Sequence, residues 1–457
     1  MTTVNENIFK GRNNIHFIGV GGSGMFPLVQ ILLSQGFSIS GSDNNPGDTT
    51  DKEIAMGVKV YEGHSPENLK GADLVVYSAA IMQDNPELAA ARKMGIPVLE
   101  RAQLLGLITR RYPECLCVAG THGKTTTTSM LTMILLLAGK DPSAVIGGKL
   151  EAIGGSGRAG SGSTMVCEAC EFVDTFLHLD PSIAVILNVD EDHLDYFGNL
   201  QNIIRSFHRF ALLSRKYVVV NGDDQNALQA VEGLEVPCVR FGWSQTNRFY
   251  PENISQGPDG GWYFDIMKDG CHYTHAQLNI PGRHNILNAL AACAAADLAE
   301  VRPEDIARGL SAFQGVGRRF EILGSINGVT IADDYAHHPA ELKVTLEAAA
   351  QMGFGQVWAV FQPFTYSRTS LLLEEFAQAL STADHVVMSA IMGGRENNTY
   401  NISTADLALR IPGSVWFETF PEIAGHVLSH AKPGDLVITL GCGDIYKCAK
   451  LMLKKGS

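Results

Sequence analysis

Residues 115–126, Cys-Leu-Cys-Val-Ala-Gly-Thr-His-Gly-Lys-Thr-Thr, pass from an apolar run into a glycine turn and out into a helical stretch that reaches Leu137. Strand, glycine loop and helix in this order make a phosphate cradle: backbone N–H groups hold phosphate oxygens, a lysine neutralises β/γ charge and a threonine hydroxyl binds Mg²⁺. Gly120, Thr121, His122, Gly123, Lys124, Thr125 and Thr126 are therefore candidate ATP contacts. The loop is a shortened one, because the glycine preceding Gly123 stands three positions back rather than five.

Toward the amino terminus, residues 15–18 read as a strand, 25–35 as a helix, and 38–40, 74–78 and 97–99 as further strands separated by helical lengths. That alternation is the layout of a parallel α/β sheet. A second loop, Gly19-Val20-Gly21-Gly22-Ser23-Gly24, satisfies G-x-G-x-x-G between strand and helix, and Asp43 follows Gly24 by 19 residues. A nucleotide-binding unit places its sugar- or base-reading acid there. On this stretch alone a nicotinamide cofactor, another nucleotide diphosphate and simple tight strand–helix packing all stay open. An ATP cradle downstream weighs against hydride chemistry, because redox with nicotinamide needs no ATP.

Toward the carboxyl terminus the periodicity breaks at 110–113, and strands are expected at 184–188 and 217–221. Between Phe241 and Ile280, short strands with turn signals such as Pro258-Asp259-Gly260-Gly261 point to an antiparallel insertion. Residues 285–300 read as an alanine-rich helix, and after Val316-Gly317 a third α/β unit has strands at 329–332, 357–361, 385–388 and 436–439. The glycine- and serine-rich stretch 154–162 reads as a mobile loop. The expected fold is α/β in three domains: Rossmann-like 1–112, a P-loop ATPase-type 113–316 carrying the insertion, and Rossmann-like 317–457. A length of 457 residues agrees, at roughly 150 per domain.

Composition excludes other classes. With 45% hydrophobic and 18% charged residues the chain is foldable rather than disordered, and a formal charge of −13 disfavours a nucleic-acid partner. The longest apolar candidate, 130–138, is too short to span a bilayer. The polar first 14 residues lack an apolar signal core, so a cytoplasmic location is expected, with no membrane partner and a monomer or weak homodimer. The nine cysteines are expected as reduced thiols, since Cys167 and Cys170 have no second pair at metal-ligand spacing.

The short lysine loop, with Gly282-Arg283-His284-Asn285-Ile286-Leu287-Asn288 and Asp333-Asp334-Tyr335-Ala336-His337-His338-Pro339, resembles the Mur ligase family through nearly the whole chain. These are the ATP-dependent amide-forming enzymes of peptidoglycan precursor synthesis. The first glycine loop, Gly41-Ser42-Asp43, residues 316–320, Phe361-Gln362-Pro363 and Tyr366-Ser367-Arg368 extend the resemblance. It implies UDP-N-acetylmuramate and L-alanine as substrates, with ATP and Mg²⁺ as cofactors. The alternative is a ligase that adds a recycled murein peptide to the same sugar nucleotide, and a remote one is an NAD-dependent oxidoreductase.

A carboxylate does not react with an amine in neutral water, so it must first be activated. The resemblance implies phosphorylation by ATP to an acyl phosphate, then attack by the amine. Such a site gathers several anions and needs cations to hold them. By resemblance, Lys124 bridges the β- and γ-phosphates, and Thr125, Glu168 and His193 hold Mg²⁺, with Glu171 a weaker option. Asn285 and Asn288 approach the adenosine, Arg318 and Arg319 reach ATP or the muramoyl group on domain closure, and Asp334 completes the ATP set. His337 assists deprotonation of the amine, and Arg368 pairs with the amino-acid carboxylate. Gly19, Gly21, Gly22, Ser23, Gly24, Asp43 and Ser78 are the implied UDP-sugar contacts. The chain departs from the family pattern at Cys170, where Asp is common, and at Phe364 and Thr365, where relatives often carry His and a second Arg.

Overall fold

The computed structural model describes residues 6–257, 260–394 and 396–454. The turn residues Pro258 and Asp259 lie outside them. Two compact units emerge: one of Met1–Asn253, Phe264–Ala276 and Leu287–Phe313, the other of Ile254–Tyr263, Gln277–Ile286 and Gln314–Ser457. Among the described residues no helix is long and apolar enough to cross a membrane.

The first sheet comprises β1 (Asn14–Ile18), β2 (Ser38–Asp43), β3 (Lys59–Glu62), β4 (Leu74–Tyr77) and β5 (Val98–Glu100), in the order β3-β2-β1-β4-β5. All its pairings are parallel, so every strand's carboxyl end lies along one edge. Alternation sorts the side chains of β1: Ile15 and Phe17 join the large core cluster, whereas Ile18 joins a smaller one on the other face. Helix α1 (Phe26–Ser34) follows β1, α2 (Asp48–Ala55) follows β2, α3 (Pro86–Lys93) follows β4 and α4 (Arg101–Thr109) follows β5.

The second sheet holds β6 (Glu114–Ala119), β7 (Ser143–Leu150), β8 (Gly155–Arg158), β9 (Thr164–Glu168), β10 (Ile183–Ile186), β11 (Tyr217–Asn221), β12 (Cys238–Phe241), β13 (Phe249–Gln256), β14 (Trp262–Lys268) and β15 (Cys271–Leu278). Its order is β15-β14-β13-β12-β11-β10-β6-β9-β7-β8. Strand β6 lies between β10 and β9, parallel to both, which brings the ends of three strands together around the lysine loop. Two residues, Asp269 and Gly270, join β14 to β15, both with positive φ (51° and 79°). So short a connection fits only an antiparallel hairpin, the kind expected for the insertion.

Helix α5 (Lys124–Leu137) leaves the lysine loop. Three of its buried hydroxyls bond back one turn: Thr128 to the Lys124 carbonyl, Ser129 to Thr125 and Thr132 to Thr128, at 2.7–2.8 Å.

One expectation is corrected. The stretch 154–162 is not a loop throughout, because Gly155–Arg158 forms β8, antiparallel to β7. Its glycines serve close packing: a Cβ on Gly157 would stand 2.5 Å from the Pro27 Cα of α1. A strand built for backbone approach carries no side-chain alternation, so it leaves no periodic signal.

In the other unit, β16 (Glu321–Ile326), β17 (Val329–Asp334), β18 (Val357–Phe361), β19 (His385–Ser389), β20 (Val415–Phe417) and β21 (Leu436–Leu440) pair in the order β16-β17-β21-β18-β19-β20. All pairings are parallel except β16 with β17. Separate apolar clusters cover its two faces.

Candidate functional site

The lysine loop bends at Gly120 (φ 151°) and Gly123 (φ 84°), backbone that L side chains rarely adopt. Neighbours on β10's side hold it: Asn188 accepts from the N–H of His122 at 2.8 Å and donates to its carbonyl at 3.1 Å, and the Thr121 hydroxyl accepts from the Asp190 N–H at 2.9 Å. On the other side, the Asn288 carboxamide sits 2.5 Å from where a Gly123 Cβ would be.

Lys124, Thr125 and Glu168 come together. The Lys124 ammonium donates to the Gly120 and Thr121 carbonyls (2.5 and 3.0 Å) and lies 2.9 Å from Glu171. Burial works against its charge, but the adjacent Glu171, with Cys170 and Glu168 adding to it, holds its pKa well above the usual lysine range. The Thr125 hydroxyl donates to Glu168 at 3.1 Å, and the other Glu168 oxygen accepts from the Gly147 N–H at 2.7 Å. At His193 φ is 53°, the ring lies 4.6 Å from the Phe172 ring and Nε2 is 3.7 Å from Asp192. Among the described residues no three His, Cys, Asp or Glu side chains form a metal cage. Two hard oxygen donors on one side still fit Mg²⁺, which keeps waters and takes phosphate oxygens as ligands.

At the edge of the first sheet, the Gly21 N–H donates to Asp43 Oδ2 at 2.9 Å, and the N–H groups of Gly19 and Val20 donate to the Ser42 carbonyl. Ser78 packs beside Gly19, Gly22 N–H bonds back to the Gly19 carbonyl, and the Ser23 carbonyl accepts from Ser156 at 3.3 Å. Gly24 faces Arg101. A cavity of about 280 Å³ is lined by Gly24 and Arg101 on one side and by Gly147, Glu168 and Cys170 on the other. Arg101, in an ordinary helix-start context, gave no sequence signal.

In the second unit, the ends of β17, β21 and β18 present Asp334, the Gly441-Cys442-Gly443 turn and the segment running to Arg368. Asp334 is buried and accepts from the N–H groups of Phe320 and Ala336, both at 2.7 Å. Burial raises its pKa to about 6 against the opposing pull of Arg319. Arg318 is engaged by the chain itself: it pairs with Asp333 at 2.9 Å, donates to the Gly441 carbonyl at 2.6 Å and lies between the rings of Tyr335 and Tyr446. Arg319 also lies over the Tyr335 ring, 5.2 Å from its centroid. His337 Nδ1 lies 3.0 Å from the Tyr335 carbonyl and 3.2 Å from Glu341. Both are acceptors, so Nδ1 carries the hydrogen and Nε2 keeps its lone pair. The side chain of Asn285 donates to the Pro281 carbonyl at 2.6 Å. Thr365, one of the departures, caps the helix Tyr366–Leu371 that bears Arg368.

Two phosphate-type loops at the edges of adjacent sheets, one carrying a lysine paired with a carboxylate and a threonine bonded to another, define a nucleotide-dependent group-transfer enzyme. The chain belongs to the Mur ligase family: successive family models match it, the Mur ligase family catalytic domain over residues 14–113, the middle domain over 118–296 and the glutamate ligase domain over 318–443. It is 44% identical to the UDP-N-acetylmuramate–L-alanine ligase of Acetivibrio thermocellus, over 99% of this chain and 98% of that one. The enzyme of the same name from Lachnospira eligens is also 44% identical, over 98% and 99%. Among solved structures, the UDP-N-acetylmuramate-alanine ligase of Thermotoga maritima superposes with a TM-score of 0.82 at 27% identity, covering 97% of this chain and 98% of that one. A murein peptide ligase from Psychrobacter arcticus reaches 0.73 at 25% identity, over 96% and 98%.

Proposed function

We propose that the protein joins L-alanine to the carboxylate of UDP-N-acetylmuramate, cleaving ATP to ADP and phosphate through an acyl phosphate, in the cytoplasm. The observation that supports this reading is the cavity that Gly24 of the first glycine loop and Arg101 share with Glu168, the carboxylate that accepts from the Thr125 hydroxyl of the lysine loop. A diphosphate anchored at Gly19–Gly24 extends its sugar toward the lysine loop, where its carboxylate meets the γ-phosphate. The name shared by the 44%-identical relatives supports alanine over a recycled peptide as the amine.

In this reading residues 1–112 bind the UDP-sugar, 113–316 bind ATP and 317–457 bind the amino acid. Lys124 releases Glu171 and takes the β/γ-phosphate charge. Thr125, Glu168 and His193 hold Mg²⁺, which supplies charge neutralisation at the phosphates. Gly120, Thr121, His122, Gly123 and Thr126 surround the phosphates, Asn285 and Asn288 the adenosine, and Arg319 and Asp334 the far side of ATP. Arg318 shapes that loop through Asp333. His337 Nε2 takes the proton of the attacking ammonium, and Arg368 grips the amino-acid carboxylate in a two-pronged pair.

The test is a panel of amines incubated with UDP-N-acetylmuramate and ATP, with phosphate release and product mass as readouts. Release with L-alanine and a product heavier by one alanine residue is expected. Release with a tripeptide alone would move the assignment to the recycling ligase, and nicotinamide absorbance change without phosphate release would end it.

A further inference from the structure

Behind the first glycine loop lies a buried polar network that the ligation chemistry does not use. Glu87, fully buried near the start of α3, accepts from Ser42 Oγ at 2.5 Å, Asn68 Nδ2 at 2.7 Å and the Ser65 N–H at 3.3 Å. His64 Nδ1 lies 3.2 Å and His16 Nε2 3.7 Å from the same carboxylate. Burial pushes the carboxyl up, but hydrogen bonds from His16, Ser42 and Asn68 outweigh it and hold its pKa at about 2. Glu87 is therefore an anion and accepts only.

That fixes the hydrogens around it. The Ser42 hydroxyl gives its one hydrogen to Glu87, so toward His64 Nδ1, 3.0 Å away, it can only accept. Both neighbours of Nδ1 are then acceptors, and neutral His64 carries its hydrogen on Nδ1. Its Nε2 is left with a bare lone pair.

The position of His64 gives that lone pair a use. His64 follows β3 by two residues, and the preceding Gly63 N–H bonds to the Asp43 carbonyl at 2.9 Å, seating it beside the acid. The strand order reverses between β1 and β4, which marks the crevice where an α/β sheet takes its ligand. Outward from there come Ser78 and the glycine loop, then Asp43, then His64. A nucleotide with its diphosphate on the loop and its ribose at Asp43 delivers its base toward β3.

We propose that His64 selects the pyrimidine of the bound nucleotide, its Nε2 accepting the hydrogen on N3 of a uracil-type base, with Glu87 and Ser42 as positioning residues that keep Nε2 unprotonated. Cytosine N3 carries no hydrogen and presents a lone pair of its own, so it meets Nε2 repulsively. The inference rests on the uridine-nucleotide reading of residues 1–112.

The experiment measures UDP and CDP binding to the full chain by calorimetry at pH 8, where an ordinary imidazole is neutral. Wild type binds UDP at least about tenfold more tightly than CDP. His64→Phe brings the two affinities to within about threefold of each other. Glu87→Gln places an amide that can donate toward Ser42 or His64 Nδ1, which frees the other tautomer. Its UDP:CDP ratio falls at least about tenfold because CDP binding improves, a change that loosened packing alone does not produce. If Glu87→Gln does not fold by circular dichroism, His64→Phe, at a side chain a tenth exposed, carries the test. A wild-type preference that both folded variants keep overturns the proposal while the parent reading stands. A wild-type chain that binds neither nucleotide overturns both.

Discussion

The Lys124 ammonium lies 2.9 Å from a carboxylate oxygen of Glu171, and the glutamate side chain is only 3% exposed. The chain thus supplies its own anion to a lysine whose neighbourhood is built for phosphate. Removing one partner of a nearly buried pair leaves the other charge uncompensated, which costs about 3 kcal/mol or more. Lys124→Ala should therefore lower the urea-unfolding free energy by about that amount, and adding Glu171→Gln should restore most of it. The same single variant should cut phosphate release at least about 100-fold and leave UDP-sugar binding within about twofold, since the first glycine loop, the proposed UDP-sugar anchor, lies on another sheet. Equal stability of Lys124→Ala and wild type would show that the pair carries no net energy.

Glu53 of α2 is fully buried, and neither of its carboxylate oxygens has a hydrogen-bond partner among the described residues. Burial, and then repulsion from Asp43, raises its pKa from 4.5 to about 8. A folded-state pKa above the unfolded one means that its contribution to stability is complete below pH 4.5 and is lost as pH rises through about 8. Glu53→Gln, neutral throughout, should match wild type near pH 4.5 and become progressively more stable than it toward pH 8. Urea midpoints at both ends of that window measure it; parallel curves would place the carboxylate in water.

The runs rich in Val, Ile and Leu were legible: β1, β4, β6, β11, β17, β18 and β21 lie where apolar runs bounded by turn residues put them, because each is buried on both faces. Strands outside that regime were not. Strand β3 is polar and lies at a sheet edge, β8 is made of small residues under α1, and β16 opens with a register shift between Ile322 and Gly324. The site divides in the same way. Loop residues with fixed spacing, from Gly120 to Thr125, announce themselves, and the Thr125–Glu168 contact follows from β9 pairing beside β6. Arg101 and Glu87 act through positions that only the assembled strands create.

His337 holds its hydrogen on Nδ1 through the Tyr335 carbonyl, which leaves the Nε2 lone pair for the proton transfer proposed for it. His337→Ala should then lose most of its activity with alanine. Hydroxylamine, which needs no such base near neutral pH, should be a better nucleophile relative to alanine in the variant. An alanine-dependent rate equal to that of wild type would remove the role.

Gly147 lies against the Glu168 carboxylate, which accepts its N–H; a Cβ there would stand 2.4 Å from Glu168 Oε1. Something must move, and a carboxylate at the end of a rotatable side chain moves more cheaply than a strand. Gly147→Ala should therefore push Glu168 away from the Thr125 hydroxyl while β7 keeps its parallel pairing with β9. A displacement of about 1 Å in a positioning group costs on the order of 100-fold in rate. The expected result is a fall of that size in phosphate release and a higher Mg²⁺ requirement, with the melting temperature within about 3 °C of wild type, as for a change under 1 kcal/mol. Full activity with an unchanged Mg²⁺ requirement would mean that the Glu168 carboxylate is not held for catalysis. A large loss of stability would mean instead that the strand, rather than the side chain, gives way.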